Sequence, residues 1–353
     1  FGATFIEVNT VAVRWLQHER TESGPISGSD CVDWQMALRS MQRKLSIIAV
    51  VILVAGAVVS PAKVPRIQTQ KPSSEFADRP PPPVSDEVRR EMESRLDEAR
   101  RRYEAKPNDP QSIIWLGRRL AYLGRFREAI EAYSEGLRKF PRDARFYRHR
   151  GHRYVTLRKL DLAVDDLKKA AQLIKGKPDE VEPDGQPNVR NIPTSTLQFN
   201  IWYHLGLAHY LKGQNKQALD AYRECLKVSR NPDAVVATSH WLYMTLRRLN
   251  QPKEAATVLE PIREGMEIIE NDGYYRLLLV YKGLVQPESL LEEALKQDRS
   301  AASHSVLYGI GNWHLYNGRR VEALNIFRRM LEGDQWTSFG FIAAEADLKR
   351  LEL

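Results

Sequence analysis

Between Ile113 and Met330 the chain repeats itself at a fixed interval, and a repeat of this length leaves few folds open. Ile113, Leu116, Gly117 and Leu120 are followed by Gly124, Phe126, Ala129, Tyr133, Gly136 and Pro141. Thirty-four residues later come Tyr147, Gly151 and Tyr154, then Ala163, Leu167 and Ala170. The set returns as Trp202, Leu205, Gly206, Ala218, Tyr222 and Cys225, and again as Leu307, Ile310, Gly311, Gly318, Ala323, Phe327 and Met330. Within each unit the apolar residues recur every three or four positions, the period of a helix with one buried face. Each unit is therefore two short helices joined by a turn, with no place for period-2 strands. One such hairpin cannot bury its apolar face, whereas stacked hairpins bury it against each other. The spacing predicts an all-α fold, a right-handed α-solenoid of stacked helix-turn-helix repeats over residues 85–353.

Each recurrent position has a physical reason. Gly at the eighth place and Ala at the twentieth are small where two antiparallel helices cross. Large residues at places four, eleven and twenty-four fill the space between neighbouring hairpins. Proline ends the second helix because it cannot continue it. Together these positions resemble the tetratricopeptide repeat, whose signature is W-x2-L-G-x2-Y…A-x3-F…P. The resemblance covers about residues 110–335, flanked by caps. Before it, Val88, Met92, Leu96, Ala99 and Tyr103 mark one face of a first helix that Pro107-Asn108-Asp109-Pro110 breaks. After it, Trp336 to Leu353 is expected to be a solvating end helix.

Departures from the pattern carry expectations of their own. Arg150 stands in repeat two where Leu is usual. Ser239, Leu242, Tyr243 and Leu246, with Ala255 and Leu259, begin a fourth unit whose Tyr243 occupies the Gly place and predicts a wider crossing. From Ala255 to Ala323 is 68 residues, twice the period, so a degenerate repeat with looser packing is expected at about 272–298. From Ala163 to Ala218 is 55, an excess of 21 over the period. The excess lies in residues 176–196, which are polar and rich in Pro and Gly and so predict a loop. Long loops in compact domains are uncommon and often functional. A partner-contacting role and a tolerated insertion are both open here.

The N-terminal part is different in kind. Residues 1–40 show no sustained period and are expected to be an upstream artefact or disordered, with translation starting at Met36 or Met41. After Gln42-Arg43-Lys44, the run Leu45 to Val59 carries no charge. Its fifteen residues would rise about 22 Å as a helix, short of a comfortable bilayer span and matched to a signal h-region. Residues 41–62 are therefore expected to be a signal peptide, with cleavage after Ala62, or else a membrane anchor. Export to the periplasm or beyond, or inner-membrane anchoring with the repeats outside the cytoplasm, follows. Residues 63–84 form a Pro-rich linker, in which Pro80 to Pro83 predict a stiff polyproline spacer.

Chemistry is sparse. No phosphate-cradling loop, nucleophile elbow or zincin motif is present. His149 and His152, and His204 and His209, lack a carboxylate or Cys at metal-ligand spacing. Cys31 and Cys225 imply no disulfide framework, and Cys225 is expected to be a small buried side chain. Asp165-Asp166 and Glu292-Glu293 are expected on solvated faces. No cofactor or metal is expected, and the chain is not expected to be an enzyme. A net charge of +8 admits acidic partners. Nucleic acid is not expected as one, given the export signal.

The resemblance also implies a ligand surface, since in that family the first helix of each hairpin lines the concave groove with places two, five, nine, twelve and thirteen. In the first repeat these are Gln111, Ile114, Arg118, Ala121 and Tyr122, and in the second Arg145, Arg148, His152, Val155 and Thr156. The third gives Asn200, Tyr203, Leu207, Tyr210 and Leu211, and the fourth Ala237, His240, Met244, Arg247 and Arg248. None of these is a carboxylate. The candidate contacts are Arg118, Tyr122, Arg145, Arg148, His152, Tyr203, Tyr210, His240, Arg247 and Arg248. The groove is expected to be cationic at both ends with an aromatic middle, and to take an acidic, partly apolar segment. Repeats that clamp a C-terminal carboxylate usually carry Asn at place nine, where this chain has Arg118 and His152. The function implied is a protein- or peptide-binding scaffold of the cell envelope. The alternative is a fixed structural or accessory subunit of an envelope complex.

Overall fold

Five hairpins open on a polar side chain that caps their first helix, and their second helices start on none. Asp109 accepts from the backbone N–H of Gln111 and Ser112, Asp143 from Arg145, Thr196 from Phe199, Asn231 from Ala234 and Ser300 from Ser303. Such caps satisfy donors that a helix start leaves open. The turn inside each hairpin is closed by backbone alone. Arg125, Lys159, Gln214, Gln251 and Arg319 each donate to the carbonyl five residues earlier, at 2.9–3.0 Å. The residue before each of these donors is left-handed: Gly124, Arg158, Gly213, Asn250 and Gly318.

A computed structural model describes residues 79–183, 185–188, 190–296 and 300–352. The segments 1–40 and 41–62, Cys31, and most of the linker lie outside them. The described helices run in order α1 (Asp86–Ala105), α2 (Pro110–Tyr122), α3 (Phe126–Lys139), α4 (Ala144–Thr156), α5 (Leu160–Ile174), α6 (Leu197–Leu211) and α7 (Asn215–Val228). They continue as α8 (Pro232–Arg248), α9 (Pro252–Val258), α10 (Asp272–Tyr281), α11 (Pro287–Lys296), α12 (Ala301–Tyr316), α13 (Arg320–Leu331) and α14 (Phe339–Leu351). No strand occurs among the described residues; Val181 and Thr196 form one isolated bridge. The fold is an all-α solenoid of stacked hairpins. None of the described helices is long and apolar enough to cross a membrane.

The small-over-large crossings are where the period placed them. A Cβ on Gly117 would meet the Tyr133 ring at 2.3 Å, and one on Gly206 the Tyr222 ring at 2.6 Å. Gly151 packs likewise on Leu167 and Gly311 on Phe327. Ala129, Ala163, Ala218, Ala255 and Ala323 are fully buried. The fourth hairpin departs, as Tyr243 predicts. Tyr243 turns to stack on Tyr281 with ring centroids 4.5 Å apart, and α9 is only 7 residues long. The chain after α9 is gathered by Asp233, whose carboxylate accepts from the backbone N–H of Ile269, Glu270 and Asn271.

Four expectations are corrected. The degenerate repeat is not loose along α10, where Leu277 and Leu278 are fully buried. Its small crossing residue comes from α12, since Gly309 seats Leu277. Asp166 is not solvated: it is buried and receives the Arg150 guanidinium through two hydrogen bonds at 2.7 and 2.8 Å. This pairing is also what allows Arg150 to replace Leu. The described end of the proline segment does not project outward, because Pro81 lies against Gly124 and the Pro80 carbonyl accepts from Trp336 Nε1 at 2.7 Å. The last helix, α14, is not a solvating cap. Phe341, Ile342, Ala343, Ala344 and Leu348 are buried, because α14 packs on α12 and α13 and also reaches α6.

Candidate functional site

The superhelix curls far enough that its concave face is filled by two segments outside the repeats. The loop after α5 lies over α2 and α4, and α14 lies over α4, α6 and α8. Arg118 Nη1 donates to the Pro183 carbonyl at 2.7 Å, and Arg119 Nη1 to the Gly185 carbonyl at 2.6 Å. Arg148 pairs with Glu182 at 2.9 Å, and Asn200 donates to the other Glu182 oxygen at 3.1 Å. Tyr122 presses its hydroxyl against Gly185 and accepts from Arg118 at 3.3 Å. At the loop's root the Glu182 N–H donates to Ser195 and the Leu197 N–H to Glu180.

The middle of the groove belongs to α14. Phe339 lies against the rings of His152, Tyr203 and His204, at centroid distances of 5.4, 6.3 and 5.6 Å. Asp347, 1% exposed, accepts from Arg248 Nη1 at 2.8 Å and from the Tyr308 hydroxyl at 2.9 Å. Arg350 joins the same carboxylate and donates to the Leu211 carbonyl at 2.6 Å. Burial works to raise the Asp347 pKa, but Arg248 and Arg350 outweigh it and hold the carboxyl below its ordinary range. Arg158, in its left-handed turn, donates to Glu345 and to the Trp336 carbonyl at 2.8 Å each.

The ten candidate contacts therefore divide by what covers them. Arg118, Tyr122 and Arg148 lie under the loop. Arg145, on the same helix face as Arg148, is paired with Asp143 and borders a small cavity beneath the loop. His152, Tyr203, Tyr210 and Arg248 lie under or against α14. Tyr203 accepts from Trp241 Nε1 at 2.8 Å, and the Tyr210 hydroxyl is hydrogen-bonded at 2.8 Å to that of Tyr308, whose own proton goes to Asp347. His240 is fully buried between Tyr274 and Tyr281, and burial pushes its pKa down to about 3. Arg247 lies over the Tyr316 ring at 4.3 Å and donates to Asn317 at 3.0 Å. The aromatic middle is thus core rather than open surface.

The charge balance repeats in both halves. Arg148 and Arg248 of the groove and Arg158 of a hairpin turn meet carboxylates that come from outside the repeat helices: Glu182 from the loop, Asp347 and Glu345 from α14. These acids were absent from the groove places, which is why the groove had no carboxylate in sequence. Burial lowers the pKa of Arg148, and lowers that of Arg153 to about 10. It also holds His149, His152 and His204 well below the ordinary histidine value, so these rings are neutral at pH 7. No group of three or more His, Cys, Asp or Glu able to hold a metal occurs among the described residues. Cys225 is buried and its thiol is pushed up to about 12, an unreactive state.

The two covering segments differ in how they are held. Five apolar side chains of α14 are buried, and fully burying a Phe, Ile or Leu stabilises by roughly 1.5–3 kcal/mol each. The loop leaves Val181 64% and Ile192 50% exposed and is seated on the groove by polar contacts. Hydrogen bonds exchanged with water contribute only about 0.5–1.5 kcal/mol net, more when charged. Thus α14 is a fixed part of the core and the loop is the weaker occupant.

Residues 116–179 and 199–232 match tetratricopeptide-repeat family profiles. The chain therefore carries tetratricopeptide repeats, stacked as the hairpins described above. Similar solved structures include a crystal structure of MamA, at 17% identity, covering 49% of this chain and 86% of that one, with a TM-score of 0.37. They also include YrrB, described as a TPR protein with an unusual peptide-binding site, at 15% identity, 73% and 100% coverage and a TM-score of 0.39. No curated protein matches the chain.

Proposed function

We propose that this chain is a protein- or peptide-binding scaffold, not an enzyme, whose arginine-lined concave face takes acidic, partly apolar segments. One observation carries the reading: the ion-pair partner of each of the groove arginines Arg148 and Arg248 is a carboxylate from a segment outside the repeat helices. The chain's own acidic segments thus sit where an external one would. With the middle closed by α14, the part left to a ligand is the half over α2 and α4, which only the more weakly held loop covers. Charge-assisted contacts of this kind contribute about 1.5–3 kcal/mol each. Purified chain should bind acidic peptides in preference to basic ones, more weakly as salt rises, since charges are screened within about 8–10 Å. Arg118→Glu with Arg119→Glu should lower that binding at least tenfold, or about 1.4 kcal/mol, and leave helicity unchanged. Binding that is indifferent to peptide charge and to both substitutions would refute the reading.

A fixed subunit of an envelope complex is the second reading, and the closure of the groove by α14 favours it. A solenoid with its middle filled is a rigid body that can be held by its outer surface. Stoichiometric co-purification with one large partner, undisturbed by acidic peptide, would select it. The place of action we propose is outside the cytoplasm, on the strength of the charge-free run Leu45 to Val59 behind Arg43 and Lys44. Expressed from Met41, the chain should be recovered beyond the inner membrane beginning near Lys63, or uncleaved in that membrane. Recovery of intact chain in the cytosol would refute export.

A further inference from the structure

We propose that the half-groove over α2 and α4 is a docking surface for an extended peptide with a Glu-Pro-x-Gly core, and that Glu182, Pro183 and Gly185 of the chain hold it in cis until such a peptide displaces them. This rests on the scaffold reading above and adds the ligand's register and the identity of the resident occupant. Two of the four positions are recognised by side chain. Glu182 meets Arg148 and Asn200, and Gly185 is required because a Cβ there would stand 1.7 Å from the Tyr122 hydroxyl. The other contacts are to main-chain carbonyls, those of Pro183 and Gly185, accepting from Arg118 and Arg119. Any extended chain offers such carbonyls, so an outside segment of the same pattern can reproduce every contact.

The resident segment fits incompletely. A cavity of about 110 Å³ remains between it and the groove wall formed by Gln111, Trp115 and Arg145. Arg148, 8% exposed, keeps its Nε without a hydrogen-bond partner. Arg153, on the same helix, forms no ion pair among the described residues, and the like charges of Arg148 and Arg118 bear on it. Among the described residues, one carboxylate, Glu182, pairs with Arg148, and none pairs with Arg118 or Arg153. A peptide whose second acidic side chain enters the cavity meets Arg118 and Arg145, which line it, and adds a carboxylate to a cationic wall. That gain offsets the high effective concentration of a tethered competitor. The segment contributes no apolar side chain of its own to the core, since Val181 already faces solvent, and the root at Glu180 and Leu197 stays closed when it leaves.

The test uses the full chain and a fluorescein-labelled peptide with the sequence of residues 179–186, D-E-V-E-P-D-G-Q, read by anisotropy. Two variants empty the seat: Gly185→Val, which collides with Tyr122, and replacement of residues 180–186 by a Gly/Ser segment of equal length. Each should bind the peptide at least about tenfold more tightly than the wild type, whose seat is taken. Circular dichroism identifies a variant that fails to fold, and the other then carries the test. A peptide with Lys in the Glu182 position should lose binding, as should the emptied chain with Arg118→Glu and Arg119→Glu. If wild type binds other acidic peptides through Arg118 and Arg119, yet the emptied variants bind this one no better, the cis occupant is overturned and the scaffold reading stands. If neither wild type nor emptied variants bind any acidic peptide, both fall. If the loop instead exchanges between two copies, seen as a dimer that Gly185→Val dissolves, the peptide ligand is overturned.

Discussion

At the scale of single residues, buried ionisable groups set the acid limit of this chain. Asp347 holds Arg248 in a closed environment, and removing one partner of a buried pair leaves an unpaired charge. Asp347→Asn should therefore destabilise by about 3–5 kcal/mol, visible as a lower urea midpoint at pH 7. Arg248→Met with Asp347→Leu should recover most of that loss. Because the folded pKa of Asp347 is depressed, its contribution is full above the unfolded value of about 3.9 and is lost as pH falls through the folded value. His240 acts over a different window. Its folded pKa of about 3 lies below the ordinary 6.5, so the unfolded state takes up the proton first. Stability should fall on acidification from pH 6.5, by up to about 1.4 kcal/mol per pH unit from this residue. The groups facing His240 are Trp241, Tyr274 and Tyr281, none of them charged at these pH values. His240→Phe should make the fall of the urea midpoint between pH 6.5 and 4.5 shallower, the remainder coming from His149, His152 and His204, while costing little at pH 7. An unchanged slope would show that His240 is not the titrating group.

At the scale of elements, the two segments that fill the groove should respond oppositely to removal. Truncation after Ser338 deletes Phe341, Ile342 and Leu348 from the core, a loss of roughly 5–9 kcal/mol at 1.5–3 kcal/mol each. The truncated chain should unfold at much lower urea and bind a hydrophobic dye through the uncovered Tyr203 and Tyr210. Replacement of the loop segment should shift the midpoint by far less, because that segment contributes polar contacts rather than apolar burial. The same difference explains what was legible in the sequence. Small-over-large crossings at Gly117, Gly151, Gly206 and Gly311 repeat at fixed spacing, so the hairpins and their faces followed from the period. Glu182 and Asp347 belong to no repeat. Where they land depends on how far the superhelix curls, which the sum of many small rotations decides and no local pattern encodes. A signal for α14 did exist: Phe341, Ile342, Ala343, Ala344 and Leu348 are too many apolar residues for a helix with one solvated face. For the loop, Glu182 beside Pro183 showed only an acidic turn. Its seat on Arg118, Arg119 and Arg148 could not be inferred without the fold.

At the scale of the whole molecule, the closing contacts change how the solenoid should unfold. In a plain repeat array each unit touches only its neighbours, and stability is nearly a sum of local terms. Here Arg158 reaches Glu345 across 187 residues of sequence, Arg350 reaches Leu211 across 139, and Trp336 reaches Pro80 across 256. The early and late hairpins are thus tied through α14, and opening one end removes partners from the other. Arg158→Ala combined with Asp347→Asn cuts the tie to Glu345 and the buried pairing of Asp347 with Arg248 without touching the hairpin crossings. Hydrogen exchange followed by mass spectrometry should then show faster exchange in α4 and α6 as well as in α14, although α4 lies far from α14 in sequence. The wild type should unfold in urea as one transition, and the double variant as two, with the C-terminal hairpins going first. This follows because cooperative units are set by shared contacts rather than by sequence distance. Faster exchange confined to α13 and α14, with α4 and α6 unchanged, would show that the ties are incidental and that the chain behaves as an ordinary open array.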